Sequence, residues 1–329
     1  MGRAGRNAAG VAGMRAAGGW AVAALATLAG AGIVVGTPAS RPAAPAGTVH
    51  TVAMPAHGSV WQPPERADWM WELGQPLVTS DSDLMGTGVT AYNGDKPPGD
   101  NPVIYDIDGI QNPASTVGAL HRRGDHVICY IEVGTAGNYY TAAQEGIPST
   151  YYAQLKAAGE LGNKLSGYRE RFINVTARPA VSIIKSMIYK QCARKGFDAV
   201  ETDLDETFED NEGNTGFTIT KADEEIYLTA LANYMHALGL GWIAKNLDDT
   251  GKTSFVRRME PLAQGIVSEQ CNQYRTCWLL RPFLAARKWI GNAEYAPQTQ
   301  ARFCPRDNPA NINGILFSTD LDGGRSPCR

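Results

Sequence analysis

Histidine is scarce in this chain, with five in 329 residues, and none follows a strand-like apolar run. That removes the usual general base and the Ser-His-Asp arrangement, and it leaves any cysteine nucleophile without an imidazole to activate it. No C-x-x-C pair occurs and no histidine stands at ligand spacing, so a zinc centre lacks donors. Phosphate-binding sequences are missing too. G-x-x-x-x-G-K-[ST] is absent and no G-x-G-x-x-G turn follows the first strand, which argues against phosphoryl transfer and dinucleotide binding. No acidic residue precedes Glu65, although the 33 Asp and Glu of the whole chain outnumber its 30 Lys and Arg. The formal charge of −3 becomes −6 once Arg3, Arg6 and Arg15 are set aside, so there is no basic face for nucleic acid.

Those three arginines precede an uncharged Ala/Gly/Val/Leu run over residues 16–36, and the small residues Thr37, Pro38 and Ala39 follow. The pattern predicts a secretory signal over residues 1–39. An uncleaved membrane anchor is the alternative, because the run is long enough to span a bilayer. Residues 40–64 are rich in Pro and Ala without an apolar period and read as a flexible linker. That leaves 65–329 for a single globular domain outside the cell, expected to be a monomer. All six cysteines lie in this domain, as disulfides of an oxidising compartment would. Several connectivities are open; proximity in sequence favours Cys271 with Cys277 and Cys304 with Cys328, which leaves Cys129 with Cys192.

Within the domain, strand-like runs alternate with helical patterns such as 114–123, 180–195 and 222–238. The runs fall at 69–73, 102–109, 126–134, 171–175, 197–203, 240–246, 265–269, 288–295 and 314–317. Alternation of this kind specifies a parallel sheet, and the length favours a (β/α)8 barrel over a doubly wound sheet. Nine runs compete for eight places, so 314–317 or one of the earlier runs should lie outside the barrel.

A parallel barrel carries its chemistry at the carboxyl ends of its strands. That rule gathers Asp106, Asp108, Glu132, Asp203, Asp205, Lys245, Asn246, Glu269 and Glu294 around one pocket. The densest group is GFDAVETDLDETF at 196–208, which also holds Glu201 and which, seen alone, reads equally as a solvated loop. Carboxylates could hold Ca²⁺, but no EF-hand spacing follows, so neither metal nor organic cofactor is expected. Two carboxylates across a pocket lined by aromatics (Trp71, Tyr105, Tyr130, Trp242, Tyr295) are what glycoside hydrolysis needs, one acid attacking and the other protonating the leaving oxygen.

Several motifs carry a family resemblance, collinear over 69–295: Trp-x-Trp-x-Leu at 69–73, Val-Ile-Cys-Tyr-Ile at 127–131, Gly-Phe-Asp-Ala-Val-Glu-x-Asp at 196–203 and Thr-Gly-Phe at 215–217. Leu-Gly-Trp-Ile-Ala-Lys-Asn at 240–246, Glu-Gln-Cys at 269–271 with the second cysteine Cys277, and Glu-Tyr at 294–295 complete the set. The domain resembles glycoside hydrolase family 114, the endo-α-1,4-polygalactosaminidases. The resemblance implies a TIM-like barrel that cleaves α-1,4-linked galactosamine polymers such as galactosaminogalactan with retention at the anomeric carbon. It puts Asp203 in the nucleophile position and Glu269 in the acid/base position. Trp71, Asp106, Asp108, Tyr130, Glu132, Glu201, Asp205, Lys245, Asn246, Glu294 and Tyr295 become the candidate substrate-binding residues. Departures surround the pair: Leu204 follows Asp203 where the family places Asn, and the segment with Trp, Glu, Trp and Asp appears as Tyr168, Glu170, Phe172 and Asn174. A non-catalytic carbohydrate-binding barrel at the cell surface is the rival reading, and a Ca²⁺-dependent surface protein a more distant one.

Overall fold

The computed structural model describes residues 60–79 and 103–329. The predicted signal or anchor, and the linker up to residue 59, lie outside the described residues. Twelve strands are present among the described residues: β1 (Trp69–Glu72), β2 (Ile104–Asp108), β3 (His126–Glu132), β4 (Thr135–Gly137), β5 (Leu161–Lys164), β6 (Glu170–Ile173), β7 (Ala199–Asp203), β8 (Gly241–Lys245), β9 (Gly265–Glu269), β10 (Trp289–Glu294), β11 (Asn313–Phe317) and β12 (Arg325–Pro327). β1, β2, β3, β7, β8, β9, β10 and β11 are parallel neighbours in that order, and β12 returns antiparallel to β11. The sheet comes round on itself where the segment before β12 meets β1. There the amides of Leu73 and Gly74 both donate to the Leu321 carbonyl, and Glu72 bridges Asp322. The result is a nearly closed TIM-type barrel with helices packed outside it.

The near-continuous apolar runs are explained by burial of both strand faces. Trp69, Ile104, Ile128, Ala199, Ile243, Val267, Trp289 and Ile315 point inward and form one core. The alternate residues Tyr105, Ile107, Val127, Cys129, Val200, Trp242 and Ile266 point outward into the helix layer. Indoles fill much of the interior, which is why β10 carries a glycine among them: a Cβ on Gly291 would stand 2.8 Å from the Trp289 ring and 2.9 Å from that of Trp69. The outer helices are bounded as their sequences dictate. Lys221–Ala237 starts from Thr220, whose side chain accepts from the Asp223 amide while Asp223 returns the bond. Arg178–Met187 widens into a π turn at Ile188–Cys192, which ends at the Cys192–Cys129 disulfide on the outward face of β3. Cys271–Cys277 and Cys304–Cys328 complete the pairing that proximity in sequence favours.

Of the nine runs, 171–175 is the one outside the barrel. Its strand β6 lies between β4 and β5 in a separate antiparallel sheet, an excursion that leaves the barrel after β3 and returns before β7. A short strand pairs with local partners as readily as with a barrel neighbour, and apolar content alone does not distinguish the two. At the amino end, Trp61, within the segment read as linker, stacks on His126 with centroids 4.4 Å apart.

Candidate active site

Alternation along each strand decides which strand-end residues meet. Asp106 and Asp108 of β2, Tyr130 and Glu132 of β3, Glu201 and Asp203 of β7, Lys245 of β8 and Glu269 of β9 share the inward parity. Register sets them in rows: Trp71 beside Asp106, Tyr130 beside Glu201, and Glu132 beside Asp203. Asp203 and Glu269 face the opening, with 15% and 18% of their side chains exposed, while Lys245 behind them keeps only 2%.

The Lys245 ammonium joins the two. Its Nζ donates to Asp203 Oδ1 at 2.9 Å and stands 3.2 Å from Glu269 Oε2. These two oxygens therefore lie at most about 6 Å apart, below the separations of inverting glycosidases and compatible with the shorter retaining spacing. Each carboxylate has further donors that fix its plane. Tyr130 donates to Asp203 Oδ2 at 2.6 Å, and Tyr295 donates to Glu269 Oε1 at 2.6 Å. Burial, then the facing carboxylates, hold both phenols well above their usual range, so they remain donors. Asn246, left-handed at φ 49°, turns its amide back: Nδ2 donates to Glu269 Oε2, and Oδ1 accepts from the Glu269 amide at 2.8 Å.

Beneath this layer Glu201 is fully buried. It accepts from the Trp71 indole at 3.0 Å and lies 3.5 Å from Lys245 Nζ. The neighbouring Asp106 carboxyl is also fully buried; burial first, and then Glu201, push it well above the usual carboxylate range. Neither Asp106 oxygen has a hydrogen-bond partner among the described residues, so its ionised form would stand uncompensated beside Glu201. The Trp71 ring lies 4.7 Å from Lys245 Nζ, so this tryptophan is a wall of the buried layer rather than an exposed platform.

A second group of acids lines the mouth on the side of the β4–β6 excursion. Burial, then Glu170, Asp203 and Asp108, raise Glu132 well above its usual range. Burial likewise lifts Glu170 to about 7, against a Thr135 hydroxyl that donates to it at 2.7 Å. Among the described residues no Lys or Arg pairs with either. Asp108 accepts from Tyr140 and from the amides of Ile110 and Gln111. A narrow recess opens here, lined among others by Tyr130, Glu132, Thr135, Tyr140 and Tyr151.

Two of the predicted residues are not in this group. Glu294 has the outward parity on β10 and accepts from the Asn272 amide at 2.8 Å and the Asn292 side chain at 3.2 Å, behind the sheet. Asp205 lies beyond the end of β7 and folds back outside the barrel, accepting from Thr202 and from the Lys245 backbone amide. Period-2 alternation, which a list of strand-end residues ignores, explains the first; the turn at Leu204 (φ 63°) explains the second. Glu170, Tyr140 and Tyr168 stand beside the site without being strand-end residues of the barrel, because they belong to the β4–β6 excursion and its flanks. Tyr168 stands close enough that Glu269 and Asp203, after burial, help raise its phenol to about 12. Among the described residues no group of His, Cys, Asp and Glu has the arrangement of a metal site.

A TIM-type barrel with two partly exposed carboxylates at the carboxyl ends of its strands is an arrangement that glycoside hydrolases use, and the class of this chain is glycoside hydrolase. More particularly, the family model for glycoside-hydrolase family GH114 matches residues 50–329, and the chain belongs to that family. Among solved structures, Ega3 of Aspergillus fumigatus in complex with galactosamine is similar at TM-score 0.65 and 23% identity, over 82% of this chain and 98% of that one. The glycoside hydrolase domain of PelA from Pseudomonas aeruginosa follows at TM-score 0.52 and 12% identity, over 78% and 96%. No curated protein sequence matches the chain.

Proposed function

We propose that this is a secreted retaining hydrolase of an α-linked polysaccharide that carries galactosamine. Asp203 attacks the anomeric carbon as the glycosidic bond breaks, and Glu269 gives its proton to the departing oxygen. Glu269 then takes a proton from water, whose oxygen attacks the same carbon and releases Asp203. The observation that carries the reading is the single ammonium within 3.2 Å of both carboxylates, which supports the short separation a covalent intermediate requires. The three disulfides support an oxidising, extracytoplasmic setting.

The substrate class is supported by acids that lack a cationic partner. Glu132 and Glu170 present acids with no protein cation among the described residues, which suits a cationic amino sugar, and the similarity to a protein solved with galactosamine points the same way. Asp203→Asn and Glu269→Gln should each lower the release of reducing ends from deacetylated galactosaminogalactan by about 10²–10⁴-fold with the fold retained by circular dichroism. Mass spectrometry of Glu269→Gln with a dinitrophenyl α-galactosaminide should find a sugar ester on Asp203. Full activity in either variant would sink the assignment, and binding of the polymer without cleavage by the unaltered protein would favour a carbohydrate-binding barrel.

A further inference from the structure

We propose that Lys245 is a positioning residue, a fixed cation that pairs with whichever catalytic carboxylate is ionised in each half of the reaction, and not a ligand of the substrate. The inference rests on the retaining reading of Asp203 and Glu269 and concerns what makes two closely spaced acids work in alternation.

Lys245 is built to stay in place. Its side chain is 2% exposed, against 15% and 18% for the acids it serves. Three carboxylates surround the ammonium: Asp203 at 2.9 Å, Glu269 at 3.2 Å and, from below, Glu201 at 3.5 Å. Glu201 is held in turn by the Trp71 indole, whose ring lies 4.7 Å from the ammonium, and the Tyr130 ring is 5.8 Å away. The Lys245 backbone amide is tied to Asp205 at 3.0 Å. A lysine with this many restraints on backbone, stem and head cannot swing out to meet a sugar. The substrate is moreover read as cationic, and a second ammonium at the same carboxylates would repel it.

The near-equal distances to the two acids matter because charge moves between them. Before attack Asp203 is anionic and Glu269 carries the proton. In the glycosyl-enzyme Asp203 is a neutral ester and Glu269, having given its proton to the leaving group, is anionic. The pair carries one negative charge in both states. One ammonium at near-equal distance from both neutralises it each time without moving, which is preorganisation of the kind that costs no rearrangement during reaction. Glu201 takes no part in the exchange and anchors the cation from beneath.

The test is steady-state and pre-steady-state kinetics of Lys245→Met, Lys245→Ala and Lys245→Arg with a dinitrophenyl α-galactosaminide and with the polymer. Lys245→Met and Lys245→Ala should lower both the glycosylation and deglycosylation steps by about 10²-fold, with KM little changed, because neither carboxylate is then held in line. Methylammonium or ethylammonium should restore part of the activity of Lys245→Ala, and sodium at equal ionic strength should not. Lys245→Arg should lower kcat by about tenfold, since a planar guanidinium cannot present one point to both acids. If the truncated variants do not fold, the arginine variant carries the test. A raised KM with unaltered kcat in any variant that folds would make Lys245 a substrate ligand and overturn the proposal. So would loss confined to one half-reaction, or failure of alkylammonium to restore a folded Lys245→Ala. If the unaltered protein shows no turnover, the hydrolase reading fails and this inference fails with it, whereas turnover with an unaffected Lys245→Met overturns this inference alone.

Discussion

Glu224 makes stability depend on pH in a direction that can be worked out and checked. It lies in the first turn of the helix Lys221–Ala237, where a carboxylate is ordinarily favoured, yet it is turned inward and fully buried. Burial lifts its carboxyl from 4.5 to about 8, in spite of the Thr207 hydroxyl and nearby amides that donate to it. Between those values the folded protein keeps a proton that the unfolded chain has released. Stability on this account is full at low pH and declines as pH rises towards 8, by about 1.4 kcal/mol per unit and about 5 kcal/mol in all. For a domain of this size that corresponds to about 10–20 °C in Tm. Glu224→Gln keeps the shape and is neutral throughout, so its melting temperature should match that of the unaltered protein near pH 5 and exceed it increasingly up to about pH 8.5. Glu294, raised by burial to about 7, slopes the same way in both proteins and drops out of the difference. Parallel Tm profiles across that range would refute the reasoning.

The Cys129–Cys192 bridge spans 63 residues, so replacing both cysteines by alanine should cost about 4 kcal/mol in denaturant unfolding through the freedom returned to the unfolded chain. Leu204 is left-handed at φ 63°, a conformation that costs an L-residue about 1–2 kcal/mol and that Asn tolerates; Leu204→Asn should raise Tm by a few degrees with hydrolysis retained. The turn is fixed from outside, because a Cβ on Gly134 would stand 2.2 Å from the Leu204 carbonyl, so Gly134→Ala should lower both stability and activity. Glu170, lifted by burial to about 7, becomes an anion as pH rises through that value. KM for a deacetylated polymer should then fall over the same interval, Glu170→Gln should flatten the dependence, and a fully acetylated polymer should show none.

How far the sequence can be read depends on how local the determining physics is. The helix 114–123 is legible to the residue because Gly124 stops it in a left-handed cap. The barrel strands are legible because burial on both faces leaves uninterrupted apolar runs. The run 171–175 has the same apolar content, and only its partners β4 and β5 reveal that it is not part of the barrel. The catalytic candidates Asp203 and Glu269 follow from two facts visible in the chain: each ends an apolar run, and each falls in a family motif. Glu294 satisfies both conditions as well, yet it points behind the sheet, because a shift of one residue in parity reverses the face.

The sequence by itself determined what the chain could be made of: parallel strands ending in acids, no histidine to serve as base, six cysteines for disulfides and a family pattern spread from Trp69 to Tyr295. These are properties of composition and of short-range order, which a linear reading contains. What only the tertiary structure decided is the placement of Lys245. Forty-two residues separate it from Asp203 and twenty-four from Glu269, and in the chain it is merely the cation at the end of one more strand. Barrel closure brings β7, β8 and β9 side by side and puts one ammonium within 3.2 Å of both acids, because the distance between side chains is set by strand register and inward parity, neither of which sequence separation records.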